Sequence, residues 1–201
     1  MSSRTLTTRN ITKIAILSLV SFILMEFEIL VPFTPPFYKL DVSEVVIMIG
    51  AFAMGPIAGI WMEAIKNLLN AMIFGTTTAY VGEFAAFIMG CSYVVPAAYI
   101  YQKHKDIKSA IVGMLCGSAS ATIVSTITNY YIMIPAYIYF MGFTMEQIIS
   151  MSNSMNPYVT IENLWGVVVL GTIPFNIVKW SIVSILVKVL YKHVSVILKK
   201  F

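Results

Sequence analysis

The chain has 201 residues, of which 59% are hydrophobic and 11% are charged, and its formal net charge is +4. A soluble domain carries about 25% charged residues, so this composition excludes an ordinary soluble protein and indicates an integral membrane protein. The length allows about six helical spans of roughly 20 residues each. Because no repeat or polar linker divides the chain, we predict a single domain over residues 1–201.

Long apolar runs predict six transmembrane helices in one all-α bundle. The first run follows a basic N-terminus and is too long for the core of a signal peptide, so we predict that it is retained as a span. The second and third runs are separated only by Gly55 and Pro56, a pair typical of a tight turn; one long bent helix is the alternative. In chain order, the predicted spans cover residues 11–32, 43–54, 56–74, 83–101, 109–140 and 165–190.

The distribution of positive charge predicts the orientation of the chain. Ten of the thirteen Lys and Arg residues lie in three places: the N-terminus, residues 102–108 and the C-terminal part. Positive segments stay on the cytoplasmic side, so an even number of spans must precede residue 102 and an even number must follow it. Four spans and then two satisfy this rule, whereas fusing the second and third does not. We therefore predict cytoplasmic termini, and no nucleic-acid partner because the basic residues form no single patch.

Lys179 lies inside the last predicted span, in GTIPFNIVKW, with no Asp or Glu three or four residues away. A charge in the hydrocarbon region costs at least about 2.5 kcal/mol. The lysine must therefore face the interior, extend to the outer headgroups or contact a ligand. Asn176 on the same helical face adds one acceptor and two donors. Together the two side chains can recognise a donor and acceptor edge of a ligand, or they can serve structure alone.

Asn129 is a second polar position of this kind, because it begins a patch with Tyr130 and Tyr131 in the fifth predicted span. Pro135 lacks an N–H and so frees the carbonyl of residue 131. Aromatic faces beside an amide suit a flat heteroaromatic ligand. Hydrogen bonding between helices is the alternative interpretation.

Other patterns concern packing within the bundle. Glu63 lies three residues before Lys66 on the same helical face, and we predict that it neutralises the lysine; a coupling or interface role is the alternative. GPIAG and GMLCG are G-x-x-x-G patterns, which predict close approach of helices. Cys91 and Cys116 lack CxxC spacing, so neither a disulfide framework nor a zinc site is predicted.

The first predicted external loop, PFTPPFYKLDVSE, mixes prolines, aromatic residues and charges at the membrane surface. It can be a plain connector or a lid over a ligand. Glu26, Glu28 and Glu44 lie near external span ends, where a carboxylate can be interfacial, border a ligand site or take part in proton coupling.

The sequence offers little for catalysis. The motifs HExxH, GxSxG and GxxxxGK[ST] do not occur in it. The two histidines, His104 and His193, lie near lysines in predicted cytoplasmic segments. We therefore predict that the chain is not an enzyme and has no cofactor. Any uphill transport would draw its energy from a partner or an ion gradient.

Five segments follow one another along the chain: F-x-P-P-F-x-K-L-D-x-S-E, GPIAGIWMEAIKNLLN, GTTTAYVGEFAAF, TNYYIMIPAY and PFNIVKW. In this order they resemble the riboflavin-specific substrate-binding component of energy-coupling factor (ECF) vitamin transporters, over nearly the whole chain. The resemblance implies a six-helix, multi-pass protein of the bacterial plasma membrane that binds riboflavin from the outside. It also implies association with a transmembrane coupling protein and two ABC-type ATPases. Riboflavin is then the transported ligand, not a cofactor.

The resemblance further implies ligand-binding residues. The family's flavin-contacting asparagine in the fifth span matches Asn129, its N-x-x-K pair matches Asn176 and Lys179, and its substrate-covering loop matches residues 37–41. One departure is Ala86, where the family often has Asn. The substrate-binding residues predicted in this way are Asn129, Asn176, Lys179, Phe37, Tyr38, Lys39, Leu40, Asp41, Glu83 and Tyr130.

The surface for the coupling protein departs from the family pattern. The family's first span presents an A-x-x-x-A surface, whereas here Leu19 follows Ala15 by four residues. We predict that the small residues Ala15, Ser18 and Ser21 form the docking face instead.

On this interpretation, Lys179 is retained because it donates hydrogen bonds to the uncharged flavin ring. The same polar trio fits any flat ring that carries amide groups, so a component for another vitamin or a nucleobase is an alternative. A stand-alone membrane facilitator is a second alternative. A membrane-embedded enzyme or scaffold is a third.

Overall fold

Seven helices and one short antiparallel ribbon form the described part of the chain in a computed structural model, which describes residues 8–30, 38–76, 78–155 and 160–198. The ribbon pairs β1 (Ile29–Leu30) with β2 (Lys39–Leu40). Five helices are regular: α1 (Thr8–Met25), α2 (Ser43–Met54), α3 (Pro56–Ile73), α4 (Val81–His104) and α6 (Met145–Met155). Two helices contain a π-helical turn: α5 (Ile107–Thr128, turn Asn129–Met133, then Ile134–Met141) and α7 (Leu164–Val167, turn Val168–Thr172, then Ile173–Leu198).

The lengths and composition of the helices support a helical membrane fold. Four helices are long and apolar enough to cross a bilayer within the described ranges: α1, α4, α5 and the part of α7 from Leu164 to Tyr191. By contrast, α2 has only 12 residues. The 18-residue α3 carries Glu63, Lys66 and Asn67 in its middle, which lower its mean hydropathy.

Two details differ from the predicted all-α bundle. The first helix ends at Met25 and not near residue 32, because Glu26 and Glu28 interrupt the apolar run before Ile29 enters the β ribbon. The predicted external segment 141–164 contains α6, which buries Ile148 completely. Both additions lie outside the helices that match the predicted spans.

The Gly55-Pro56 pair separates α2 from α3, as predicted. Gly55 has a φ of 98° and a ψ of 170°, a conformation that residues with a side chain rarely adopt, and Pro56 occupies the first position of α3. The alternative of one bent helix over residues 43–74 is therefore wrong.

Glycines allow α4 and α5 to approach closely. A Cβ atom on Gly113 would lie 2.6 Å from the backbone oxygen of Ala97, and one on Gly117 would collide with the backbone oxygen of Tyr93. The close packing predicted from GMLCG is confirmed. In GPIAG only Gly59 packs in this way, with Val94, because Gly55 forms the turn.

The main hydrophobic core is formed by helices α1, α2, α3, α4, α5 and α7. Within it, the Tyr93 ring stacks on the Trp180 ring with 4.5 Å between ring centroids. A second, smaller core gathers Ile134, Ile148 and Val168 around α6. The π-helical turns of α5 and α7 contact each other. This contact brings Asn129, in the first turn, close to the helical segment that carries Asn176.

Candidate ligand-binding site

A cavity of about 270 Å³ lies among the helices, close to the lower limit of about 300 Å³ for small-molecule pockets. Its walls come from the end of α1, the segment before α2, and helices α2, α3, α4, α5 and α7. Asn129, Asn176 and Lys179 all line it. The structure therefore brings together the three polar residues that the sequence singled out in separate spans.

Lys179 forms an ion pair with a residue far away in the sequence. Its Nζ atom lies 3.1 Å from Oδ2 of Asp41, with the two side chains 16% and 12% exposed. Sequence reasoning considered only neighbours along the helix and so missed this partner. The lysine also lies 5.4 Å from the centroid of the Trp180 ring. Its charge is therefore balanced within the protein while its ammonium group still borders the cavity.

Both carboxylate oxygens of Asp41 have partners, since Oδ2 pairs with Lys179. Its Oδ1 atom accepts hydrogen bonds from the backbone N–H of Ser43, at 3.0 Å, and from the Ser43 hydroxyl. Burial by itself raises the pKa of Asp41, but the positive charges of Lys179 and Lys66 outweigh it, so this pKa lies below its usual range. Asp41, in the segment before α2, is therefore ionised at neutral pH.

The two asparagines are oriented by their own helices. Asn129 Nδ2 donates to the carbonyl of Ser125 at 2.9 Å, and Asn176 Nδ2 donates to the carbonyl of Thr172 at 2.8 Å. Asn176 Oδ1 accepts from Trp180 Nε1 at 3.1 Å. An asparagine side chain has two N–H donors and two acceptor lone pairs, so each amide keeps capacity for a ligand. The alternative role predicted for Asn129 was hydrogen bonding between helices, whereas each of these bonds runs within one helix.

The segment before α2 is attached to α7 by more than the ion pair. The Tyr38 hydroxyl hydrogen-bonds with the Thr172 hydroxyl, and the Tyr38 ring stacks on Phe175 at 5.0 Å between centroids. Leu40 packs with these two aromatic rings. Tyr38 and Phe175 line the cavity, whereas Leu40 does not.

A buried charged cluster forms another part of the wall. Lys66 Nζ lies 2.9 Å from Oε2 of Glu63, which confirms the predicted pairing, and 2.7 Å from Oε1 of Glu44. Glu44 was predicted near a span end, as an interfacial carboxylate, a border of a ligand site or a proton-coupling group. Its contact with Lys66 was missed, because no local pattern links it to a lysine in the next helix. Of these three residues, Glu44 and Lys66 line the cavity.

Some predicted ligand residues lie elsewhere. Tyr130 does not line the cavity; it stacks on Trp165 at 4.4 Å between centroids. Glu83 also lies outside the lining, where its Oε2 accepts from the Thr76 hydroxyl at 3.1 Å. Phe37 falls outside the described residues, and Lys39 is a residue of β2.

Several lining residues were missed by sequence reasoning. Met133 and Tyr137 line the cavity four and eight residues after Asn129, and Trp180 lines it four residues after Asn176. Helical residues at such spacing share a face. The positions of the two asparagines therefore contained a signal for all three.

The predicted docking face on α1 does not hold together. Ser18 and Ser21 are completely buried, whereas Ala15 is exposed. Ser18 Oγ donates to the carbonyl of Ile14 at 2.7 Å, and Ser21 Oγ donates to the carbonyl of Ser43 at 3.0 Å. The two serines pack the bundle internally, so their prediction as a partner surface is corrected.

A helical membrane protein whose spans enclose amide, aromatic and charged side chains belongs to the class that binds small molecules within the membrane. Comparison with known proteins narrows this class. The model of the family "ECF transporter, substrate-specific component" matches residues 9–191. The chain belongs to this family.

Named relatives and a solved structure agree with the family. The chain is 34% identical to the riboflavin transporter RibU of Staphylococcus aureus (strain TCH60) over 192 residues, covering 96% of this chain and 93% of that one. It is 31% identical to the riboflavin transporter FmnP of Bacillus subtilis (strain 168) over 184 residues, covering 91% and 90%. A solved structure of the S component of a bacterial ECF transporter is 32% identical with a TM-score of 0.72, covering 94% of this chain and 96% of that chain.

Proposed function

We propose that the chain binds riboflavin and mediates its uptake as the substrate-specific component of an ECF transporter. The observation that carries this proposal is the convergence of Asn129, Asn176 and Lys179 on one cavity, in a chain whose relatives are named riboflavin transporters. Those relatives are transporters, and we propose no catalytic activity and no cofactor for this chain.

The chemistry of the cavity fits an isoalloxazine ring. One edge of this ring carries carbonyl oxygens and an N–H, which the amides of Asn129 and Asn176 can pair with as donors and acceptors. Lys179 Nζ can donate to an electronegative ring atom in a charge-assisted hydrogen bond. Because riboflavin is uncharged at neutral pH, Lys179 keeps Asp41 as its counter-ion when the vitamin is bound.

The apolar parts of riboflavin also find counterparts. Phe175, Trp180 and Tyr137 border the cavity with aromatic faces, which suit a wide π system. Met89 and Met133 also border it, and flexible thioether side chains adapt to an irregular apolar surface such as the dimethylbenzene end. We propose that the segment from Tyr38 to Asp41 covers the bound ring, as supported by its contacts with α7.

We propose six spans with both termini in the cytoplasm, in a multi-pass protein of the bacterial plasma membrane. The three positively charged places in the chain support this orientation. The partners we propose are a transmembrane coupling protein and two ABC-type ATPases, as the family description implies. Ala15 stays in the proposed docking face because it lies on the exposed side of α1.

Absorption and fluorescence of the purified protein, before and after titration with riboflavin, test this function. We expect saturable quenching of flavin fluorescence at about one ligand per chain. Absence of a flavin band together with absence of quenching would overturn the assignment of riboflavin. Competition with other flat vitamins and nucleobases then identifies the ligand, and copurification with ATPases distinguishes a transporter component from a stand-alone facilitator.

A further inference from the structure

The cluster of Glu44, Glu63 and Lys66 is more deeply buried than the ion pair of Lys179 with Asp41, whose side chains are 16% and 12% exposed. Lys66 bridges the two carboxyl groups at 2.7 and 2.9 Å, and the side chains of Lys66, Glu44 and Glu63 are 3%, 5% and 0% exposed. Asn67 Nδ2 adds a hydrogen bond to Glu63 Oε2 at 3.4 Å. Charges buried to this extent inside a membrane protein need compensation from neighbouring groups.

The carboxyl groups lack one hydrogen-bond donor. Glu44 Oε2 and Glu63 Oε1 are buried and have no hydrogen-bond partner among the described residues. The two carboxyl groups are neighbours, because both contact Lys66 Nζ, at 2.7 and 2.9 Å. Ionised carboxylates are acceptors only, so two of them at this separation repel, whereas a carboxylic acid and a carboxylate form a hydrogen bond.

The described side chains around the cluster supply no second positive charge to balance two ionised carboxylates. Asp41, before α2, and Lys179, of α7, form their own ion pair. Cys91 and Tyr93 of α4 lie close enough to the cluster to interact with it electrostatically, and Glu28, after α1, lines the same cavity. Among the described side chains, none of these five groups adds a positive charge that is not already paired. Two ionised carboxylates with one ammonium group would leave the cluster with one excess negative charge.

We propose that Glu44 and Glu63 share one proton at neutral pH and form a proton-binding site in the wall of the ligand cavity. The proton lies between the two carboxyl groups, while Lys66 balances the single remaining negative charge. The cluster is then neutral, and both carboxyl groups have a hydrogen-bond partner.

Gly90 fixes the position of this site. A Cβ atom on Gly90 would lie 2.5 Å from Cδ of Glu63, so the Glu63 carboxyl group packs directly against α4. Gly90 itself lines the cavity, as do Glu44 and Lys66. If the proposed function holds, the proton keeps this wall neutral toward an uncharged flavin, which cannot compensate a buried negative charge.

Infrared spectroscopy of the full-length protein in detergent, without ligand, tests the site directly. The probe is the proton itself, detected by the C=O stretching band of a protonated carboxylic acid and its shift in D2O. We expect the band in the wild type at neutral pH. Both Glu63→Gln and Glu44→Gln should lose it, because a single remaining carboxylate pairs with Lys66 and needs no proton. Glu146→Gln, an exposed position on α6, is the matched control and should keep the band.

A wild-type spectrum without this band would overturn the proposal, and so would a band that survives both substitutions. If the wild type lacks the band and sodium raises its thermal unfolding midpoint, the unpaired oxygens are assigned to a metal cation instead. Riboflavin titration separates this result from the proposed function. Glu146→Gln, which lies outside the cavity lining, should bind riboflavin with the Kd of the wild type. If the wild type shows the band and the two variants lose it, but the wild type does not bind riboflavin, the proton site is supported. Only the assignment of riboflavin as the ligand is then overturned.

Discussion

Lys179 Nζ lies 3.1 Å from Asp41 Oδ2, so an ion pair joins α7 to the segment before α2 beside the cavity that both residues line. The pair keeps a positive charge inside a membrane protein without a carboxylate in its own helix. Because both side chains remain partly accessible, a ligand in the cavity can reach the ammonium group while the ion pair persists.

Lys179→Met should weaken riboflavin binding strongly. A hydrogen bond to a charged group contributes about 1.5–3 kcal/mol, which corresponds to a loss of affinity of at least about tenfold. Flavin fluorescence quenching measures this Kd. Lys103→Met is the control, because Lys103 lies over the Tyr99 ring on α4 and does not line the cavity. Equal affinities of the Lys179→Met variant and the wild type would remove Lys179 from ligand recognition.

The two asparagines should differ in their effect on stability. Asn129→Ala and Asn176→Ala should each reduce riboflavin affinity, since each removes an amide from the cavity wall. Only Asn176→Ala also deprives the indole N–H of Trp180, which is 2% exposed, of its acceptor. An unsatisfied buried donor costs about 1–3 kcal/mol, so this variant should also unfold at a lower temperature.

Ile182→Ala on the same helix is the control for both asparagine variants, because its side chain is 36% exposed and does not line the cavity. Parallel measurements of Kd and of the thermal unfolding midpoint separate the two effects. A normal midpoint for Asn176→Ala would show that the bond to Trp180 contributes little to stability.

The positions of the long apolar helices were largely predictable because apolar runs and the Gly55-Pro56 turn are local signals. The three polar cavity residues were predictable for a related reason, since an amide or a charge within an apolar helix needs an explanation wherever it occurs. The contacts of Lys179 with Asp41 and of Lys66 with Glu44 were not predictable from pattern alone. Each joins residues in different elements, and no periodicity in the sequence specifies which elements become neighbours.

The prediction of a docking face on α1 was wrong for Ser18 and Ser21, which are buried. Small residues occur both at internal helix contacts and on partner surfaces, so residue type alone did not distinguish the two. Ala15 is exposed, whereas Ser18 and Ser21 are buried. This difference depends on how α1 packs against α2, which the sequence pattern does not specify. Similarly, the helical spacing of Tyr137 from Asn129 was visible in the sequence, but it could not show that this face borders a cavity.

Acid should reduce the stabilisation that the Asp41 carboxylate gives to the folded protein. Its pKa in the folded protein lies below the usual range, because the charges of Lys179 and Lys66 outweigh the effect of burial. A carboxyl group whose pKa is lowered on folding contributes stability above its unfolded pKa of about 3.9, and this contribution declines as the pH falls toward the folded value. Asp41→Asn should therefore lower the unfolding midpoint at pH 7 and lower it less at about pH 3.

The difference between wild type and Asp41→Asn isolates this carboxyl group from the others, which titrate in both proteins. Unfolding midpoints measured across the acid range in one detergent check the trend. A difference that is constant from neutral to acid pH would show that the ion pair with Lys179 does not stabilise the fold.

Gly113→Ala should destabilise the bundle, although alanine is the better helix former by about 1 kcal/mol. The added Cβ would lie 2.6 Å from the backbone oxygen of Ala97, and a backbone atom can move away only if α4 shifts as a whole. Overpacking of this kind costs about 1–3 kcal/mol, so the packing penalty outweighs the gain in propensity. Cys116→Ala is the control, because Cys116 is an exposed residue of the same helix. Thermal unfolding should give a lower midpoint for Gly113→Ala than for the control; a midpoint equal to the wild-type value would mean that α4 and α5 are not in such close contact.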